Sequence, residues 1–281
     1  MTRTLPGLGL VAAMHVCSLA AAQGQKLELP LPSPHATLQQ TVGLTDVTVA
    51  YSSPALRGRV IWGAVVPYDV LWRAGANECT KLTLSRPAAV EGKPVPAGSY
   101  CLFLLPARPG WTLVLNKNAG LWGTDGYKQA EDVLRVPAAS STIPKRERLA
   151  YTLLDFTDDA GTLALEWDTV RVGVKLEVGT RAKVLPEIRA LKTDDWRVYN
   201  RAARYLLDAR IEPGLAMEMA NRSVQLQETW SNLWTKAQLL AAAGKKDEAV
   251  AAALRVQELG KKAENFESAD EVARAIAEWK K

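Results

Sequence analysis

The chain has 281 residues, 48% of them hydrophobic, and a formal net charge of +5. That is apolar material for a sizeable core in a chain too long for one typical small domain of about 100–200 residues. Basic residues are interspersed with acids, and the longest basic cluster, Lys145-Arg146-Glu147-Arg148, carries no interleaved aromatics. It reads as a solvated face, which argues against nucleic acid as a partner.

The first residues, MTRTLPGLGLVAAMHVCSLAAAQ, place one arginine before an apolar run and three alanines before Gln23. This pattern predicts a signal peptide over residues 1–22, cleaved after Ala22, and a periplasmic or extracellular protein. The apolar run is too short for a membrane span. Val16 before Cys17 is not the small residue a lipoprotein site needs, and no later segment predicts an anchor. A linker is expected over residues 23–34.

Residues 35–180 read as β. TLQQTVGLTDVTVAYSSP alternates, and KLTLS, SYCLFLLP, WTLVLN, LAYTLLDF, GTLALEWD and VRVGVKLEV follow. Each is short, rich in β-branched or aromatic residues, and bounded by Gly, Pro, Asn or Asp. Pro94 and Pro96 exclude a central strand at VEGKPVPAG. Short strands at this spacing, without alternating helices, predict an antiparallel β-sandwich. Cys79 and Cys101 lie on candidate strands able to neighbour one another. In an oxidising compartment they can bridge; two buried thiols is the alternative.

Near residue 181 the period changes. Pro186 suits the first turn of a short helix. Thr193-Asp194-Asp195 caps a helix running to about Ala209. Pro213 opens another, Ser231 caps a third that ends before Gly244, Asp247 or its neighbours open a fourth, and Ser268 starts the last with capping-box spacing. Ala203 and Leu206 return thirty-four residues later as Ala237 and Leu240; Ala216 and Ala220 return thirty-three later as Ala249 and Ala253. WTKAQLLAAAGKKDEAVAAALRVQEL therefore resembles a tetratricopeptide repeat. The expected class is α+β multidomain, a sandwich followed by an all-α helical-repeat domain over residues 181–281. Two repeats fall short of the roughly three that solenoids need, so this half is expected to lean on the β-half or to self-associate. A plain helical bundle is the alternative.

VPYDVLWRAGANE at residues 66–78, PAGSY at 96–100, WTLVLNKNAGLWG and EDVLRVP follow one another in an order that resembles the bacterial domain-of-unknown-function family 2911, over about residues 33–178. The resemblance implies an exported β-rich module, often joined to helical repeats. It implies no reaction. Cys79 and Cys101 both depart from the residues usual in that family, which favours a bridge private to this chain.

Catalytic signatures are sparse. His35 is the one histidine beyond the signal segment and reads as a surface residue before the first strand. GxSxG, HExxH, P-loop and Rossmann patterns do not occur, and no CxxC supports zinc or redox chemistry. No cofactor or metal is expected. Arg73, Asn77 and Glu78 share a compact polar turn between apolar segments. They are the first ligand-binding candidates: Arg73 to engage an anion or carbonyl, Asn77 to donate and accept, Glu78 to orient Arg73. Internal pairing of Arg73 with Glu78 or Asp69 is the competing reading. Trp62, Trp72, Trp122 and Tyr127 are aromatic candidates for stacking on a sugar or small ligand, and core packing competes at each. Trp122-Gly123 with Asp125 and Tyr127 forms a second candidate surface.

The leading function is an exported, non-enzymatic binding or assembly module. Its ligand is a small molecule or glycan, and the helical half contacts a protein partner or another copy. One alternative is a carboxylate-based hydrolase of envelope glycans with Asp69 and Glu78 as acid and base. A second is a purely structural envelope protein.

Overall fold

The computed structural model describes Met1, residues 28–108 and residues 110–281. The expected signal peptide with its cleavage site at Ala22 falls, apart from Met1, outside the described residues, as does the first part of the 23–34 linker.

The β-half contains β1 (His35–Val42), β2 (Thr45–Ser52), β3 (Thr80–Leu84), β4 (Ala88–Val90), β5 (Lys93–Val95), β6 (Gly98–Pro106), β7 (Trp111–Asn116), β8 (Asp132–Leu154) and β9 (Ala160–Glu177). All neighbours pair antiparallel, in the order β1-β2-β3-β6-β7-β8-β9-β4-β5. The strands thus form one continuous nine-stranded sheet, where two packed sheets were expected. The reason is β8. Its first residues, to Ala138, pair with β7; from Ala139 it pairs with β9. LAYTLLDF reads as a short strand of its own because Ser140–Arg148 before it is polar, yet that stretch stays in the ladder through two register shifts and joins it to Asp132–Ala139. Pro94 sits on β5, at the sheet's end, where a missing N–H costs no ladder bond.

Inner-face residues from both ends of the sheet meet in one core, including Val47, Leu82, Leu102, Leu163, Leu165 and Val174. Trp62, Trp72, Trp111 and Trp167 pack around one another inside it. Trp62 meets the other three edge to face at 5.1–5.9 Å between centroids, and Trp72 stacks on Trp167 at 6.0 Å. β6 is buried on both faces. Leu102 and Leu104 face the main core, while Cys101 and Phe103 face a small outer core with Cys79, Val114 and Leu121. Two loops cover that outer core, and they carry the candidate site.

Six helices follow among the described residues: α1 (Thr180–Arg189), α2 (Trp196–Asp208), α3 (Pro213–Leu226), α4 (Trp230–Ala242), α5 (Lys246–Gly260) and α6 (Ala269–Trp279). Ala203, Ala216, Ala220, Ala237, Ala249 and Ala253 are all fully buried, so the repeated small residues form the helix–helix seams. Helices α1–α3 share one core with Leu239 of α4, and α4–α6 share another with Val224 of α3. Three helix starts differ from expectation. Pro186 lies inside α1, which starts at Thr180 directly after the left-handed Gly179. α4 is capped by Thr229 and not Ser231: the Thr229 hydroxyl accepts from the Asn232 N–H, and Asn232 returns a bond to the Thr229 N–H. Asn232 takes the part usually played by Glu or Gln in a capping box. Asp195 caps α2 as expected. Ser268 precedes α6 without a side-chain cap bond.

The halves meet where the β1–β2 turn and the β8–β9 turn touch α1 and α2. Gly43 lies against Thr180 and the Asp158 carbonyl, the Leu44 N–H donates to the Thr180 hydroxyl, and the Tyr205 hydroxyl donates to Asp158 at 2.8 Å. No described helix is long and apolar enough to cross a membrane.

Candidate functional site

The first of the two loops lies between β2 and β3 and runs alongside β6 just before β3 begins. Trp72 exchanges both backbone hydrogen bonds with Leu104, and the Asp69 N–H donates to the Pro106 carbonyl. This segment extends the β3 side of β6 and then turns sharply. Ala74 and Asn77 both take left-handed backbone (φ 53° and 61°). Asn tolerates this conformation; Ala does so at a cost of about 1–2 kcal/mol. The turn is held from within. The Ala74 carbonyl accepts from the Tyr151 hydroxyl (2.9 Å) and the Thr80 hydroxyl (3.0 Å), and the Gly75 carbonyl accepts from the Trp72 indole (3.2 Å). Burial raises the Tyr151 phenol well above its ordinary range, so it stays protonated and donates.

The expected pairing of Arg73 with Glu78 or Asp69 is not made. The Arg73 guanidinium donates to the Asn77 carbonyl at 2.7 Å and has no ion pair among the described residues. The left-handed residue at 77 turns that carbonyl back over Arg73, while Glu78 is exposed and does not orient it. Asn77 is turned inward: its amide donates to the Ser52 hydroxyl (3.1 Å), which also lies 3.2 Å from the His35 Nδ1. Asp69 is exposed and takes left-handed backbone. The principal cavities among the described residues are lined by neither Asp69 nor Glu78.

The second loop, residues 117–131, lies beside the first. The Cys79 N–H donates to the Leu121 carbonyl at 3.0 Å, and Cys79 is disulfide-bonded to Cys101, with Cα atoms 5.6 Å apart. Gly123 roofs Arg73: a β-carbon there would stand 2.8 Å from Nη1 and 3.0 Å from Cζ. The two candidate surfaces are therefore one. Trp122, 57% exposed, is the one candidate indole left on it. Trp62 and Trp72 are half-buried against the tryptophan cluster, and Tyr127 packs its ring edge on Phe103. The Tyr127 hydroxyl donates to Asp132 (2.7 Å) and accepts from Arg135 (2.7 Å). Burial, then the bond to Asp132, raises its pKa.

Sequence reasoning missed this Asp132–Arg135–Asn116 network, which anchors the second loop. Asn116 is fully buried, and its amide donates to Asp132 and to the Lys128 carbonyl. A buried amide at a strand end, followed by a charged pair after an intervening loop, was the available signal. Among the described residues no group of three or more His, Cys, Asp or Glu could hold a metal ion.

The fold and site together define an antiparallel β-sheet module with a loop-built corner, followed by a helical-repeat-like half. Residues 33–176 match the family described as Protein of unknown function (DUF2911), and the chain belongs to that family. No curated protein and no solved structure matches it.

Proposed function

We propose that this chain is an exported, non-enzymatic binding or assembly module. The β-half holds a small ligand or glycan at the Arg73–Trp122 corner, and the helical half contacts a protein partner. One observation carries the ligand reading. Arg73 is half-buried, paired with no carboxylate among the described residues and engaged by one carbonyl, beside an indole left in solvent. A guanidinium has five N–H donors, and an uncommitted remainder suits a carboxylate, phosphate or sugar oxygen. The exposed indole face suits stacking on a sugar. The N-terminal sequence and the disulfide support an oxidising, extracytoplasmic location. The hydrolase reading needs Asp69 and Glu78 in one open cleft. The purely structural reading needs Arg73 buried against Glu78, and their separation weakens it.

Calorimetric titration with soluble envelope-glycan fragments tests the proposal, using wild type, Arg73→Met, Trp122→Ala and Glu78→Gln. The first two substitutions are expected to leave the fold intact by circular dichroism and to abolish retention. Glu78→Gln is expected to change neither. Unaltered retention in both Arg73→Met and Trp122→Ala would sink the corner as a ligand site.

A further inference from the structure

The largest cavity among those described lies in the helical half, between the end of α2, the start of α3 and the end of α4, with a volume of about 850 Å³. Its floor is apolar, formed by Leu206, Leu207, Ile211, Met217 and Leu239. Its rim is cationic. Arg210 and Lys236 line it without a side-chain hydrogen bond or ion pair among the described residues, and Lys245 pairs with the one lining acid, Glu248, at 3.2 Å. The acids two residues either side of Arg210 are engaged elsewhere, Asp208 by Arg204 and Glu212 by Arg189.

The repeat itself marks Arg210 as unusual. The thirty-four-residue offset that relates Ala203 to Ala237 relates Arg210 to Gly244. Both positions are left-handed, with φ 54° at Arg210 and 76° at Gly244. Glycine takes that backbone freely, whereas arginine is strained in it. Glu212, two residues on, is left-handed as well (φ 47°). The first repeat thus keeps a strained turn that sets a cation on the groove where its sister keeps glycine.

We infer that this groove docks an acidic amphipathic segment of a protein partner. The inference rests on the reading of the helical half as a protein-contact surface and names its site and partner chemistry. Apolar side chains of the segment fill the floor, where the flexible Met217 adapts to their shape. Its acids face Arg210 and Lys236, so charge sets orientation and excludes basic partners. An amphipathic helix laid in an apolar groove is a common mode of peptide recognition.

Fluorescence anisotropy on the full chain tests this with three designed peptides. One is a helix with Leu at i, i+3, i+4 and i+7 and Glu elsewhere; one replaces each Glu with Lys; one scrambles the acidic peptide. Only the first is expected to bind, and more weakly as salt rises. Arg210→Gly removes the cation and relieves the turn, so it folds, and it is expected to weaken binding by about tenfold. Lys236→Glu is expected to do the same. Equal binding of the Lys or scrambled peptide, or no effect of Arg210→Gly, overturns the inference. So does a concentration-dependent dimer in sedimentation that Lys236→Glu dissolves, which assigns the groove to a second copy. Binding to phosphatidylglycerol vesicles without peptide binding overturns it too. If a partner drawn from envelope extract binds wild type and Arg210→Gly equally through the helical half, the groove is rejected while the wider protein-contact reading survives.

Discussion

Gly123 lies directly over Arg73, so close that a β-carbon at residue 123 would stand 2.8 Å from the guanidinium Nη1. Two constraints act on this glycine: the close approach, and a left-handed backbone with φ 64°. Gly123→Ala is therefore expected to cost about 1–2 kcal/mol from backbone strain, plus the displacement of Arg73 from the Asn77 carbonyl. Urea denaturation of Gly123→Ala, Arg73→Met and the double variant separates the terms. Coupling of about 0.5 kcal/mol or more between them is expected for residues in contact. Strict additivity would show that the guanidinium does not feel residue 123.

The disulfide ties the corner to β6 across a sequence separation of 22. For a loop of that length the chain-entropy account gives about 3 kcal/mol. Cys79→Ser with Cys101→Ser is expected to lower the guanidinium midpoint by a corresponding amount. The double variant should also raise hydrogen exchange at Arg73–Asn77, since Cys79 borders that turn. A variant as stable as the oxidised parent would remove the bridge from the forces that hold the corner.

Much of the fold can be read from the residues. Alternation locates β1 to β3, continuous apolar runs bounded by turn residues locate β6 and β7, and the alanine offsets locate the helix seams, because burial on one or both faces imposes those patterns directly. The length of β8 ahead of LAYTLLDF could not be read, since Ser140–Arg148 has the polarity of a loop and its partner on β9 is distant in sequence. The two candidate surfaces were legible as separate stretches. Their union depends on the Cys79–Leu121 bond and on Gly123 roofing Arg73, contacts that no local pattern encodes. Arg73, Asn77 and Glu78 also looked like one functional group, yet a single left-handed residue sends the Asn77 amide inward and leaves Glu78 in solvent.

The cap of α4 offers a clean comparison between neighbouring hydroxyls. Thr229→Ala removes the acceptor for the Asn232 N–H and is expected to cost about 1 kcal/mol. Ser231→Ala lies within the helix, beyond the cap, and loses only the long 3.4 Å bond donated by the Asn200 amide, so it is expected to cost about 0.5 kcal/mol. Thermal melts of the two variants check the order. The reverse order would restore Ser231 as the cap.

Glu166 explains how a polar stretch of β8 stays in the sheet. Its carboxylate, 5% exposed, meets Arg146 at 2.9 Å and Arg171 at 2.6 Å, and both arginines keep part of their surface in water. Removing the acid leaves two cations that solvent can reach. Removing both cations strands a buried anion. Arg146→Met with Arg171→Met is therefore expected to cost about 3–5 kcal/mol, against about 1–2 kcal/mol for Glu166→Gln. Chemical denaturation decides, and equal costs would mean that water already reaches the carboxylate.

Tyr205 links stability of the joint between the halves to pH. Burial, and then its bond to the Asp158 carboxylate, pushes its pKa up to about 12, while an unfolded tyrosine titrates near about 10. The folded state thus holds the phenol proton more tightly than the unfolded state. Its contribution to stability is complete below about pH 10 and is lost as pH rises towards about 12. Tyr205→Phe deletes the bond and the titration together. The gap in stability between wild type and Tyr205→Phe should be constant from pH 7 to about 9 and shrink above about 10, with the loosening felt first at Asp158 and the end of α2. A gap that stays constant to pH 12 would show that the phenol proton plays no part in holding the halves together.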